Sequence, residues 1–250
     1  KEEEQGAAAQ GPAVMLWSLI RWLEQELPDV GIFNNNHRAG GGLPVMGDLQ
    51  WKDVKQHLER HIFEQAGIGI FDRCLTSAPD YGRGDDDLSA KLASLRFLLP
   101  RHWCVDSLKD TGTLQSAGSY GKEWELAQGE LCRLVEYRCP LDMLDCVRAC
   151  VRLVALSVEA SLAKRASSRS SKKVTFGADD LLAALTWVVV QSNPPRLASR
   201  LWFTSYYMRE GVEGMGEGAY CLTQLASALE FASHADASVL ADVTEDELNE

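Results

Sequence analysis

Two adjacent carboxylates, Asp179 and Asp180, stand directly before an almost wholly apolar segment, Leu181–Val190, which is soon followed by a double proline. A helix that is apolar on nearly every side is held centrally in a fold, so an acid at its mouth is preorganised to meet a partner's cation. Acidic residues also stabilise the first turn of a helix, by about 1 kcal/mol, without any further role. The residue pattern leaves both interpretations open: a helix cap, or a carboxylate held out to a partner.

The other residues whose types suggest chemistry have simpler explanations. Asp85, Asp86 and Asp87 precede a leucine-periodic helix, so first-turn capping explains them more simply than a metal site does. His57 and His61 lie one helical turn apart, but the Glu that zinc hydrolases carry directly after the first His is absent, which favours a solvated helix face. No nucleophile elbow, phosphate-binding loop or Cys–His pattern is found. We therefore predict no metal, no cofactor and no covalent catalysis.

Composition and charge narrow the class of partner. The chain has 250 residues, of which 46% are hydrophobic, so it can bury a substantial core. Its formal net charge of −11 argues against nucleic acid, because binding there depends on Lys and Arg neutralising phosphates. The seven cysteines are scattered, and Cys146 and Cys150 are best explained as free buried thiols. A reduced, cytoplasmic compartment is expected, with no signal peptide and no membrane-spanning segment.

Apolar spacing predicts helix nearly everywhere, and no convincing alternating strand is found, so the fold class is all-α. Turn formers predict loops at 30–47 and 76–87, and a basic, Ser-rich connector at 164–173. That connector is either a solvated spacer or a contact with an anionic membrane. The predicted helices cover 12–27, 48–67, 88–99, 121–139, 140–163, the segment that follows Asp179, and two segments within 193–211 and 218–235.

Asn193, Pro194 and Pro195 predict a tight corner between two helices. A residue before proline avoids α geometry, so the helix that begins near Asp179 is expected to end at Asn193. The Asn193 side chain is then expected to cap the next helix, with Pro194 in its first turn. The corner turns the chain without adding polar backbone to the core.

Three segments in this order resemble the vacuolar-protein-sorting-nine (VPS-nine) domain family: "CPLDMLDCVRACV", "GADDLLAALTWVVVQSNPPRL" and "EGAYCLTQLASALEF". The resemblance extends more weakly back to "HLERHIFEQAG" and "DLSAKLASLRFLLPRHW", and so covers about residues 50 to 240. The acid pair, the Asn-Pro-Pro corner and the Tyr-x-x-Thr-x-Leu run are specific in combination. The resemblance implies a layered, all-helical bundle, which in this chain carries an N-terminal helical extension.

The resemblance implies guanine-nucleotide exchange on a small GTPase of the Rab-five subfamily, in endosomal trafficking. The family's "aspartate finger" falls on Asp179, and its catalytic tyrosine falls on Tyr220. Such a carboxylate pairs with the GTPase's phosphate-binding lysine and repels the phosphates, while the tyrosine packs against the displaced switch region. Asp180 is expected to cap or orient the helix. The GTPase-binding positions that the resemblance implies are Asp180, Asn193, Pro194, Pro195 and Thr223.

This sequence departs from the family at three positions near these residues. The family often has proline at Ala183, a second aromatic at Cys221 and asparagine at Gln224. Because the acid and the tyrosine are retained, we expect activity, either reduced or with an altered GTPase preference. Two alternatives stay open: a scaffold or effector that binds a Rab GTPase without exchange, and an unrelated helical interaction module in which Asp179 only caps a helix.

Four parts are expected along the chain: an N-terminal extension at 1–47 with one amphipathic helix and a Gly/Asn-rich linker, a helical-bundle part at 48–118, the catalytic core at 119–245 and an acidic tail at 246–250. The expected location is cytoplasmic and peripheral on early endosomes, with a small GTPase as the partner. Whether residues 1–47 pack on the bundle or bind a partner stays open.

Overall fold

The computed structural model describes residues 2–26, 51–77, 79–103, 122–168, 177–208, 215–236, 240, 241 and 243. These ranges contain eight α-helices and no strand, which confirms the all-α prediction. The predicted loop at 30–47, residues 169–173 of the connector and the acidic tail lie outside the described residues. In chain order the helices are α1 (Glu2–Glu26), α2 (Trp51–Ser77), α3 (Pro79–Ser94), α4 (Lys122–Cys132), α5 (Pro140–Ser168), α6 (Ala178–Ser192), α7 (Leu197–Tyr207) and α8 (Met215–Ser233), with short 3₁₀ helices at Pro100–Trp103 and Arg133–Val135.

The chain divides into two compact units, Lys1–Pro79 and Asp80–Glu250. In the first unit α1 and α2 pack as an antiparallel pair. The rings of Trp17 and Phe63 lie 6.4 Å apart in the central part of both helices, and Glu24, near the end of α1, pairs with Lys55, near the start of α2, at 3.8 Å.

Several predicted helix ends in this part of the chain are wrong. The prediction starts α1 at Pro12, but the helix begins at Glu2, because the Glu- and Ala-rich residues before Pro12 are strong helix formers. The predicted end of α2 is Gly67, but the helix continues to Ser77. Phe71 is buried beyond that glycine, so packing outweighs the low helix propensity of Gly67. Residues 79–87, predicted as loop, form the first half of α3, with Pro79 in the first position, where proline is tolerated.

Helix α6 lies at the centre of the second unit. Leu181 and every residue from Ala184 to Val190 are buried, and the helix packs against α4, α5, α8 and the 3₁₀ helix at Pro100–Trp103. Trp187 meets Trp124 of α4 edge to face, with 5.3 Å between the ring centroids. The Thr186 hydroxyl is satisfied inside the helix, because it donates to the Leu182 carbonyl at 2.8 Å. The three consecutive β-branched residues, Val188, Val189 and Val190, are all part of this helix.

Helices α4 and α5 are joined by the two thiols that the sequence places one turn apart. Cys146 donates its S–H to the Glu130 carbonyl at 3.1 Å, and Cys150 donates to the Ala127 carbonyl at 3.5 Å. Burial raises the pKa of Cys146 to about 12 and raises the pKa of Cys150 as well. Both thiols are free, which confirms the prediction made for them. Helix α5 extends to Ser168, so the first half of the predicted connector is helical.

The corner between α6 and α7 differs from the prediction. Asn193 ends α6 in the left-handed conformation, at φ 39° and ψ 56°, and its backbone N–H donates to Val189. The next helix begins only at Leu197, after Arg196, which is also left-handed at φ 59°. Asn193 therefore caps the end of α6 and not the start of α7. Its side-chain amide donates to the Ser89 carbonyl of α3 at 3.0 Å instead.

The start of α7 is capped from another helix, by Asp85. Because α3 begins at Pro79, Asp85 lies inside that helix and is 4% exposed, so the expected first-turn capping role is wrong for this acid. Its Oδ1 accepts a hydrogen bond from the Ser199 N–H, in the first turn of α7, at 3.2 Å. A buried carboxylate at this position satisfies a backbone donor that α7 cannot satisfy itself.

Replacing Asp85 by Ala is expected to lower the free energy of unfolding by about 1 to 2 kcal/mol, because the Ser199 N–H loses its buried acceptor. Its exposed neighbour Asp86 supplies the matched control, and Asp86→Ala is expected to change stability by less than about 0.5 kcal/mol. Urea denaturation of both variants measures the difference. Equal effects from the two substitutions would show that the Asp85–Ser199 contact does not stabilise α7.

Candidate functional site

The two acids at the start of α6 are in different environments. Gly177 occupies the N-cap position with extended backbone, which places Asp179 and Asp180 in the first turn. The Oδ2 atom of Asp180 accepts the Gly177 N–H at 3.1 Å, which confirms the expected capping role. Asp179 is exposed and makes no hydrogen bond or ion pair with any residue that the structure describes. Capping therefore accounts for one acid and leaves the other available to a partner.

Helix α6 holds Asp179 rigidly. The carboxylate lies at the N-terminal end of the helix, where the backbone dipole favours negative charge. Two residues further along the chain Leu181 is buried, and the fully buried run begins at Ala184. Ala183, where the family often has proline, lies in the second turn of the helix. The side chain at position 179 is thus exposed on a helix whose body is fixed by packing.

Tyr220 and Thr223 lie one turn apart on α8, which packs against α6. The Tyr220 ring is 50% exposed and makes no hydrogen bond with any described residue. Thr223 is exposed, and its hydroxyl donates to the Ala219 carbonyl of its own helix at 2.9 Å. Between them Cys221 and Leu222 are buried, so α8 turns one face to the core and presents Tyr220 and Thr223 on the other.

An apolar groove of about 1070 Å³ runs between α3, α6, α7 and α8. Leu182, one turn after Asp179, lines this groove, and so does Thr223, one turn after Tyr220. Most of its remaining surface is apolar, and it includes Leu88, Ala198, Leu201, Trp202 and Phe231. The structure thus places Asp179 and Tyr220 on helices that form walls of one groove. Helix α7 also lines the groove, but its sequence contains no motif that predicts this role.

The Asn-Pro-Pro corner lies at the other end of α6. Asn193 is about 21 Å from Asp179 along the helix axis, at 1.5 Å per residue. Pro194 is buried and Pro195 is exposed. The structure therefore brings Asp179 and Asp180 together at one end of α6 and leaves the three corner residues at the other.

A charge network at the start of α8 was missed by the sequence analysis. Glu217 binds Arg148 at 3.0 Å and Arg152 at 2.6 Å, and both arginines belong to α5. The hydrogen bond from Arg152, followed by that from Arg148, lowers the pKa of Glu217. Because this pKa is lower in the folded chain than in the unfolded one, the network's contribution to stability is present at neutral pH and is lost as pH falls through the lowered pKa. The only signal in the sequence is that two arginines four residues apart share a helix face.

The other candidate residues form no site. His57 and His61 are exposed on α2, and the His57 ring contacts the Asp53 carbonyl at 2.7 Å, which confirms the expected solvated helix face. No group of three or more potential metal ligands occurs among the described residues. Within the same ranges, no helix is both long and apolar enough to cross a membrane.

Comparisons with known proteins match part of the chain to a family. Residues 124–237 match the sequence model of the vacuolar sorting protein 9 (VPS9) domain. The chain is 32% identical over 195 residues to vacuolar protein sorting-associated protein 9A of Arabidopsis thaliana, which covers 77% of this chain and 34% of that relative. It is 25% identical over 187 residues to the human Rab5 GDP/GTP exchange factor, covering 75% and 34%. With the receptor-mediated endocytosis protein 6 homolog of Drosophila pseudoobscura pseudoobscura it shares 31% over 136 residues, covering 53% and 7%. The chain thus spans about a third of the length of the plant and human relatives.

The different environments of the two acids predict different effects on stability. Asp180→Ala is expected to lower the free energy of unfolding by about 1 kcal/mol, because the Gly177 N–H loses its acceptor. Asp179→Ala is expected to change it by less than about 0.5 kcal/mol, because no described residue depends on that carboxylate. Urea denaturation compares the two variants. A larger loss from the Asp179 substitution would mean that Asp179 is itself the structural cap.

Proposed function

Because residues 124–237 are a VPS9 domain, we propose that this chain stimulates GDP release from a small GTPase of the Rab5 subfamily. The observation that carries the proposal is the division between the two acids of α6: Asp180 caps the helix, while Asp179 is exposed and without a partner among the described residues. A relative named as a Rab5 GDP/GTP exchange factor supports the choice of GTPase. The reaction is an exchange of bound nucleotide and breaks no covalent bond.

Asp179 is proposed to act on the charges that hold the nucleotide. A GTPase binds the nucleotide phosphates with a lysine and a Mg²⁺ ion. A carboxylate delivered into that site repels the phosphates and pairs with the lysine in their place. The nucleotide then loses the positive charge that held it. Each 1.4 kcal/mol by which it raises the bound state relative to the release barrier speeds release about tenfold. The carboxylate must stay in place against this repulsion, and the buried body of α6 provides that rigidity.

The groove between α6 and α8 is proposed to bind the displaced switch region of the GTPase. Its walls are largely apolar, so they suit the apolar side chains that a switch region exposes when it moves. Tyr220 combines an exposed apolar ring with a hydroxyl that is left for a polar contact. Asn193, Pro194 and Pro195 are proposed to act indirectly, because they lie at the far end of α6 and hold its junction with α7.

We place this activity in the cytoplasm, at the surface of early endosomes. Similarity to a protein named for receptor-mediated endocytosis supports a role in endocytic trafficking. Peripheral association with the endosomal membrane belongs to the same proposal.

Asp179→Ala and Asp179→Asn are both expected to slow GDP release about 100-fold relative to the unsubstituted protein, because Asn keeps the shape of the side chain but not its charge. Release of fluorescent GDP from a panel of Rab GTPases measures the effect, and Glu125→Gln, which removes an exposed acid from α4 and retains the finger, is the control. A folded protein that accelerates release from none of them would overturn the exchange proposal. If it still bound a Rab GTPase, the scaffold or effector alternative would replace it.

The groove is tested by two substitutions at Thr223. Thr223→Val keeps the shape of the side chain and removes a hydroxyl that bonds only within its own helix, so affinity for a nucleotide-free Rab5-subfamily GTPase is expected to change by no more than about twofold. Thr223→Glu places a charge in the apolar groove and is expected to weaken binding at least about tenfold. Titration calorimetry measures both affinities. Unchanged binding by the Glu variant would exclude this groove from the interface.

A further inference from the structure

Ion pairs connect the first turn of α8 to α5. They join four side chains of alternating charge: Arg152, Glu217, Arg148 and Asp145. Glu217 Oε1 accepts from both Nε and Nη2 of Arg152, at 3.0 and 2.6 Å, and Oε2 accepts from Arg148 at 3.0 Å. Arg148 also pairs with Asp145 at 3.2 Å. A single exposed ion pair contributes little to stability, but an arginine that donates twice to one carboxylate, within a shared network, fixes geometry. The Glu217 carboxylate therefore has one preferred position over α5.

The neighbouring residue, Gly218, brings the two helices into close contact. A Cβ atom added there would lie 2.9 Å from Leu144 Cδ2, closer than real Cβ atoms approach their neighbours. Leu144 is only 2% exposed, so the surrounding core leaves its side chain little space to move away. Residues 217 and 218 together thus fix both the distance and the rotation of the first turn of α8 relative to α5.

Tyr220 lies three residues after Glu217, and no hydrogen bond to a described residue fixes its own side chain. Its ring is 50% exposed, and its hydroxyl makes no hydrogen bond with any described residue. Burial of Cys221 holds the backbone at its C-terminal side. The direction in which the ring points is consequently set by the backbone of the first turn, and that backbone is held by Glu217.

We propose that Glu217, clamped by Arg148 and Arg152, is a positioning residue that orients Tyr220 for contact with the GTPase. The part that concerns the GTPase rests on the proposed function. The orientation of the ring is a property of the folded chain and can be measured without any partner. Glu217 itself need not touch the nucleotide or the GTPase, which distinguishes its role from that of Asp179.

The orientation is tested by ¹⁹F NMR of protein labelled with 3-fluorotyrosine, in which Tyr220→Phe identifies the resonance of residue 220. Glu217→Gln is expected to shift that resonance toward the position of a freely rotating tyrosine, and Arg152→Gln to shift it in the same direction. Glu125→Gln, which removes an exposed acid from α4, is the matched control and is expected to leave the resonance in place. A resonance unchanged by Glu217→Gln, in a protein that melts at the same temperature, would overturn the proposal.

Exchange kinetics test the consequence for the GTPase. Glu217→Gln is expected to lower kcat/KM for GDP release about tenfold, the size of effect that a displaced contact residue produces. If Glu217 acts through Tyr220, the Glu217→Gln/Tyr220→Ala double variant is no slower than Tyr220→Ala alone. Effects that multiply in the double variant would show that the two residues act independently and would contradict the proposal. If the unsubstituted protein releases no GDP from any GTPase, the proposed function fails, while the NMR result still decides whether Glu217 positions Tyr220.

Discussion

The burial of α6 on every side is the constraint on which the second unit depends. Seven consecutive residues, Ala184–Val190, are buried, so the middle of the helix has no lateral face toward solvent. Its polar chemistry is therefore confined to its ends, where acids occupy one end and Asn193 the other. The helices around it supply its walls: α4 through Trp124, and α5 and α8 through packing. Since none of these helices can shift without opening the core, the acid end of α6 keeps a fixed position relative to α8.

Polar contacts fix the first turns of α6, α7 and α8. At the start of α6, Asp180 satisfies the backbone and leaves Asp179 available. At the start of α8, charge pairing and the absence of a side chain at Gly218 hold the turn that precedes Tyr220. At the start of α7, a carboxylate from α3 replaces the missing intrahelical acceptor. The apolar core sets where the helices lie, and these polar contacts set how their first turns point.

The sequence predicts the helices of this fold well and their long-range contacts poorly. Periodicity identifies α6, and the Asp-Asp pair identifies its start, because both signals are local. Local signals do not predict the beginning of α3, because its turn-forming residues suggest a loop. The buried carboxylate of Asp85 is explained only by its contact with α7. Asn193 was expected to cap α7, but the following prolines and the left-handed Arg196 delay that helix to Leu197. Glu217 was missed because its two arginine partners lie more than sixty residues away in the chain, a distance that no spacing rule spans.

The contrast between the two ends of the buried run extends to the exchange of amide hydrogens with solvent. Amides in the middle of α6 are bonded to carbonyls four residues earlier and surrounded by apolar side chains, so they exchange only when the whole unit opens. The first-turn amides near Asp179 have no acceptor inside the helix, because the helix begins there. One helix is thus expected to carry both slowly exchanging and rapidly exchanging amides. The first turn of α6 is therefore open to water and to a partner, while the packed body behind it keeps the helix in position.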